Sequence, residues 1–104
     1  MRGDVYRLRA RKDAAGHEQR GTRFAVVLQT EALHTSTLIV APTSTSARPG
    51  LLHPKLDADG TATVVLVEQM AAVDPDRLGD WFGRVDPQEW DDVERAVKLV
   101  LGLL

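Results

Sequence analysis

The residues of this chain best equipped for chemistry fall in two short segments. One is Gly16-His17-Glu18-Gln19-Arg20-Gly21-Thr22-Arg23, which gathers two guanidiniums, a carboxylate, an imidazole and an amide within eight positions. A guanidinium presents a planar fork of donors suited to phosphate oxygens, and histidine is the side chain that titrates nearest neutral pH. The other is Thr43-Ser44-Thr45-Ser46, four hydroxyls in a row, each able to donate one hydrogen bond and accept others. Both segments also have a plainer reading, the arginines as solvated surface charge and the hydroxyls as turn formers.

The charge around these residues is uneven. Residues 1 to 23 carry seven basic side chains (Arg2, Arg7, Arg9, Arg11, Lys12, Arg20, Arg23) against three acidic ones, whereas from residue 57 onward eleven acidic residues face four basic ones. The net charge of -2 therefore conceals a basic N-terminal segment on an acidic body. At 104 residues and 43% hydrophobic content the chain suits one domain over residues 1–104 with a single core. With no cysteine, disulfides and thiolate metal sites are excluded, and His17, His34 and His53 are too scattered to suggest a metal centre. The charged N-terminus and short apolar runs argue against secretion and membrane insertion, so an intracellular, cytoplasmic location is expected.

The elements that must position these residues follow from periodicity. Residues 5–10 alternate as a half-buried strand with Tyr6, Leu8 and Ala10 on one side, and residues 11–22 lack any apolar period and form a long loop. Residues 23–30 and 37–41 are continuous apolar runs of strand length, expected to be central strands, the second ended by Pro42. Pro54 demotes residues 51–56 to an edge strand, and Asp59-Gly60 makes a hairpin turn into a strand over 61–68. A helical turn at Asp74-Pro75-Asp76 and a brief strand over 81–85 come next. Asp86 as N-cap, Pro87 at the first helical position, Glu89 three residues in and Gly102 as a stop then define a terminal helix. Trp90, Val93, Val97, Val100 and Leu101 supply its apolar face. The sum is a β-rich α+β fold, a small antiparallel barrel with a C-terminal amphipathic helix.

Four stretches occur in order: Arg-Gly-Asp-Val-Tyr near the start, Gly-His-Glu-Gln-Arg-Gly-Thr-Arg before the second strand, Val-Ala-Pro-Thr-Ser-Thr after the third, and Val-Glu-Gln-Met before the short turn. Their succession, continued by Gly83-Arg84-Val85 and the helix, resembles the PemK/MazF family of toxins over nearly the whole chain. The resemblance implies an SH3-like or CcdB-like barrel that dimerises, cuts single-stranded RNA at short sequences and is silenced by the C-terminal peptide of a MazE-like antitoxin. It implies no metal and no cofactor.

Carried over by position, the family's catalytic arginine falls on Arg23 and its catalytic hydroxyl on Ser44, with Thr43 or Thr45 as the alternative if the turn shifts by one residue. Phe24 stands where the family has proline, and serine where it has threonine. RNA supplies its own nucleophile, so the enzyme need only aid attack of the 2'-hydroxyl and stabilise the developing phosphoryl charge, a task for Arg23. Glu18 serves as base or orients the arginine, although the identity of the general acid and base stays open. His17, Gln19, Arg20, Thr43, Thr45, Arg48 and Gln69 are the expected substrate contacts, while His34 and His53 are read as structural. The few aromatics, Tyr6, Phe24, Trp81, Phe82 and Trp90, argue against an extensive base-stacking platform. Leu99, Leu103 and Leu104 leave apolar surface for dimerisation. Two other readings are a non-enzymatic, CcdB-like toxin that binds a protein target such as DNA gyrase, and an RNA-binding barrel disabled by Phe24 and Ser44.

Overall fold

The computed structural model describes residues 1–9 and 23–104. Seven strands, β1 (Asp4–Leu8), β2 (Phe24–Val27), β3 (Leu38–Ser44), β4 (Lys55–Ala58), β5 (Thr61–Val65), β6 (Ala71–Val73) and β7 (Leu78–Arg84), precede the helix α1 (Pro87–Val100). They form one curled antiparallel sheet in the order β4-β5-β3-β2-β1-β7, with β6 added to β3.

β2 reads Phe-Ala-Val-Val without alternation because both of its faces are covered. Phe24 and Val26 join Val5, Ala41, Leu56, Val65 and Val67 in the main core beneath α1, where Val93 and Ala96 from the helix are fully buried. Ala25 and Val27 meet Val40 and Val73 in a smaller cluster on the opposite face, backed by Tyr6, Leu8, Leu38 and Leu78. The helix starts as its sequence dictates: Asp86 accepts from the Glu89 N–H at 2.8 Å while the Glu89 carboxylate reaches back to the Asp86 N–H.

Several boundaries differ from those expected. β3 does not stop at Pro42 but runs to Ser44. The Pro42 carbonyl accepts from the Leu66 N–H at 2.8 Å, so its missing donor lies on the side where β3 changes partner, from β6 at Leu38–Val40 to β5 at Thr43–Ser44. A proline at that break removes no ladder bond. The edge strand begins only after Pro54, at Lys55, and ends at the turn where Asp59 and Gly60 both take positive φ (52° and 78°), as a primed hairpin turn requires. Residues beyond Val65 leave the strand for a 3-10 turn at Val67–Gln69. β6 is an additional strand, three residues long, and β7 starts at Leu78 rather than Trp81. On α1, Ala96 takes a place in the buried stripe, whereas Val100 and Leu101 are exposed because the helix outruns the sheet beneath it.

The Arg-Gly-Asp start is structural. Gly3 adopts φ +87°, which lets its N–H bond the Val27 carbonyl and its carbonyl accept from Val85. The chain turn delivers the buried Asp4 carboxylate to the N-terminal ammonium at 3.0 Å and to Arg84 at 3.5 Å. Arg2 lies over the Trp90 ring, 4.6 Å from its centroid, and 3.7 Å from Glu94. Among the described residues no helix is long and apolar enough to cross a membrane.

Because Val93 is wholly enclosed, Val93→Ala should cost about 1–3 kcal/mol of unfolding free energy, measured by denaturant titration. An unchanged midpoint would contradict the packing of α1 on the sheet.

Candidate active site

Arg23 sits immediately before β2, half-buried, with its carbonyl accepting from the Leu8 N–H at 2.9 Å. β2 and β3 pair as Val27↔Val40, Val26↔Ala41 and Ala25↔Pro42. The pairing ends at Ala25↔Pro42; continued two residues further, that register would set Arg23 across from Ser44, and residues that oppose each other in an antiparallel pair share a face of the sheet. The two residues expected to do the chemistry, 21 positions apart in sequence, thus flank the end of the β2–β3 pairing, two positions beyond its last paired residues.

Of the four hydroxyl residues after Pro42, the first three have different surroundings. Thr43 is 1% exposed, and its Oγ1 accepts from the Phe24 N–H at 3.2 Å. It ties β3 to the residue next to Arg23. Ser44 is half-buried, with its Oγ accepting from the Ser46 and Ala47 N–H groups at 3.2 and 3.0 Å and lying 3.3 Å from the Ser46 hydroxyl. This is an ST turn, and it fixes the Oγ position; in the contact with Ser46 either hydroxyl can be the donor. Thr45 is exposed. Ser44 and Thr45 open onto a cavity of about 490 Å³ bounded by Lys55, Asp57 and Glu89. The Glu89 carboxylate there accepts from the Asp57 N–H at 3.0 Å.

Arg48 and Gln69 are both exposed and lie on neighbouring pieces of backbone, the loop after β3 and the turn after β5. What joins those pieces is a pair that the sequence did not mark. His53 Nε2 stands 2.8 and 3.0 Å from the two carboxylate oxygens of Glu68, and its Nδ1 lies 3.1 Å from the Arg48 carbonyl. His53 therefore staples the loop carrying Arg48 to the turn carrying Gln69. No local pattern announces it, since its partner is 15 residues away. Lys55, Asp92 and Arg95 line the cavity beside it. His17, Glu18, Gln19 and Arg20 lie outside the described residues.

The Glu68 hydrogen bond raises the His53 pKa, opposed by desolvation and helped by the Arg48 carbonyl. The same bond lowers the Glu68 pKa. The staple's contribution to stability is thus fully present on the histidine side below the ordinary value of 6.5 and fades as pH rises through the raised value. On the glutamate side it is present above 4.5 and fades as pH falls through the lowered value. The stability difference between the native chain and His53→Gln should accordingly be largest between about pH 4.5 and 6.5 and shrink on either side, as read by denaturant midpoints. A difference independent of pH would rule out the charged pair.

The chain matches the family model of the PemK-like, MazF-like toxin of type II toxin-antitoxin system over residues 1–101. It is 40% identical over 104 residues to a candidate toxin of Mycobacterium tuberculosis, covering 99% of this chain and 98% of that one. It is 31% identical over 111 residues to endoribonuclease EndoA of Bacillus subtilis, covering 99% and 95%. Among solved structures, the MazE-MazF complex of Deinococcus radiodurans (form II) aligns with a TM-score of 0.79 at 25% identity, covering 98% of this chain and 95% of that one. The curled antiparallel sheet with one C-terminal helix is thus the MazF-type architecture, and the chain belongs to the PemK-like, MazF-like toxins of type II toxin-antitoxin systems.

Proposed function

We propose that this toxin is a metal-independent endoribonuclease that cuts single-stranded RNA at short sequences, with Arg23 and Ser44 at the cleaved phosphate. The supporting observation is the β2–β3 register, which if continued two residues past Ala25↔Pro42 brings the Arg23 guanidinium opposite Ser44, a hydroxyl whose oxygen accepts from two backbone donors. EndoA, a relative alignable along almost the whole chain, is an endoribonuclease by name.

In this reaction the 2'-hydroxyl oxygen bonds to the adjacent phosphorus, the bond to the 5'-oxygen breaks, and that oxygen takes up a proton. Charge accumulates on the nonbridging oxygens, where Arg23 offers several N–H donors and Ser44 one O–H. Arginine releases its proton too reluctantly to be the general acid. In the segment before β2, Glu18 removes or directs the 2'-proton and His17, Gln19 and Arg20 contact the substrate, while solvent water protonates the departing 5'-oxygen. Thr45, Arg48 and Gln69 extend that contact on the far side, held in place by the His53–Glu68 staple. The buried Thr43 acts by positioning Arg23's strand.

The toxin works in the cytoplasm as a homodimer and is silenced by the C-terminal peptide of a MazE-like antitoxin. The exposed Leu99, Leu101, Leu103 and Leu104 support self-association, and MazE-MazF complexes are known among its structural relatives.

Arg23→Ala should lower cleavage of a long single-stranded RNA by about 10²–10³ in the presence of excess chelator, with the fold intact by circular dichroism. Ser44→Ala should lose activity as well, whereas Thr43→Val should lose stability first. RNA left whole by the folded native protein would instead indicate a toxin that acts by binding a protein target.

A further inference from the structure

The five aromatic residues are divided between the two faces of the sheet. Phe24 and Phe82 pack edge to face in the core with centroids 5.2 Å apart. Trp90 is covered by the Arg2 guanidinium and donates its N–H to Glu94. Tyr6 and Trp81 remain, and both lie on the opposite face. Tyr6 pairs directly with Trp81 on one side and with Ala25 on the other, and Ala25 pairs with Pro42. These four residues form one row across β7, β1, β2 and β3. The next row, two residues along β1 and three along β7, pairs Leu78 with Leu8, whose N–H donates to the Arg23 carbonyl, and the β2–β3 register continued past Ala25↔Pro42 adds Ser44.

Trp81 therefore shares the face of the candidate site. It stands two strand spacings, about 10 Å, and one row, about 7 Å, from Arg23. It is 59% exposed, an unusual placement for the largest apolar side chain on a strand whose next residue, Phe82, is packed in the core. β7 also shifts register on either side of Trp81, between its pairings with Asp4, Tyr6 and Leu8. Bulges of this kind re-aim a side chain.

We infer that Trp81, backed by Tyr6, is a stacking site for one unpaired base of the RNA near the phosphate held by Arg23. The inference rests on the ribonuclease reading of that site. An indole face is matched to any base. The positive charge of Arg23 on the same face complements the RNA backbone. A second copy of the chain seated on this face would have to bury that guanidinium along with the indole, at a heavy desolvation cost. The site supplies affinity without hydrogen-bond readout, so it shapes binding strength more than cleavage sequence.

The test uses the full chain with a single-stranded oligonucleotide whose 2'-hydroxyl at the cut site is replaced by hydrogen, so that binding is read without cleavage. Trp81→Ala is expected to raise Kd, and KM on the cleavable strand, by about tenfold within a range of roughly 5- to 150-fold, with Trp81→Phe restoring most of the loss. Native binding by Trp81→Ala would overturn the inference. So would a loss in both variants that tracks a slower-sedimenting species, since Trp81 would then belong to a self-interface. If the native protein cuts no RNA but Trp81→Ala still weakens the oligonucleotide, the cleavage reading fails and the stacking site stands. If Arg23 is needed for cutting and Trp81→Ala binds normally, the stacking site alone fails.

Discussion

The structure depends on the burial of β2 on both faces. Four residues, Phe24, Ala25, Val26 and Val27, divide between two apolar clusters on opposite sides of the sheet, and none is exposed. A slip of one residue against β3 would turn Phe24 and Val26 out of the core beneath α1 and replace them with Ala25 and Val27. The two clusters differ in the side-chain volume they accept, so the register is fixed by packing. Arg23 is carried by that register. In the proposed reading the site is a by-product of this packed register, which is a firmer basis for a reacting geometry than a loop would give.

The second constraint is electrostatic, and it revises the meaning of the basic N-terminus. Part of that charge is spent on the fold. Arg2 covers Trp90 and approaches Glu94, Arg7 lies 5.6 Å from the centroid of Phe82, and Arg9 donates to the Asp76 carbonyl. The buried Asp4 is held between the N-terminal ammonium and Arg84. These contacts fasten β1 to β7 and to α1, closing the sheet over the helix. Among the described residues of this segment, Arg23 is thus the cation to which the proposed reading gives the RNA-facing role.

Sequence alone revealed most where the chemistry is local. Asp86, Pro87 and Glu89 specify the start of α1 within four residues, and Asp59-Gly60 specifies a hairpin without reference to the rest of the chain. Pro42 was misleading because a proline's cost depends on which neighbour would have received its N–H, and that neighbour, at the change from β6 to β5, is 24 or more residues away. β6 is three residues long and exists through its pairing with β3. At the site, Arg23 and Ser44 emerged from family resemblance and not from spacing, whereas the His53–Glu68 staple and the Trp81–Tyr6 row have no sequence signature. Each depends on tertiary placement of residues tens of positions apart or on strands that meet only in the closed sheet.

The central claim, that strand register assembles the site, can be tested directly because the chain has no cysteine of its own. The measurement is the rate of disulfide formation under mild oxidation in Arg23→Cys/Ser44→Cys, compared with Arg23→Cys/Thr43→Cys and Arg23→Cys/Thr45→Cys. Directly opposed residues have Cα atoms about 4.5–5.5 Å apart, within the span a disulfide bridges without backbone movement. The expected result is rapid, near-complete bridging in the first pair and slow bridging in the others. Faster closure with residue 43 or 45 would mean that β2 and β3 pair differently and that Arg23 and Ser44 do not face each other.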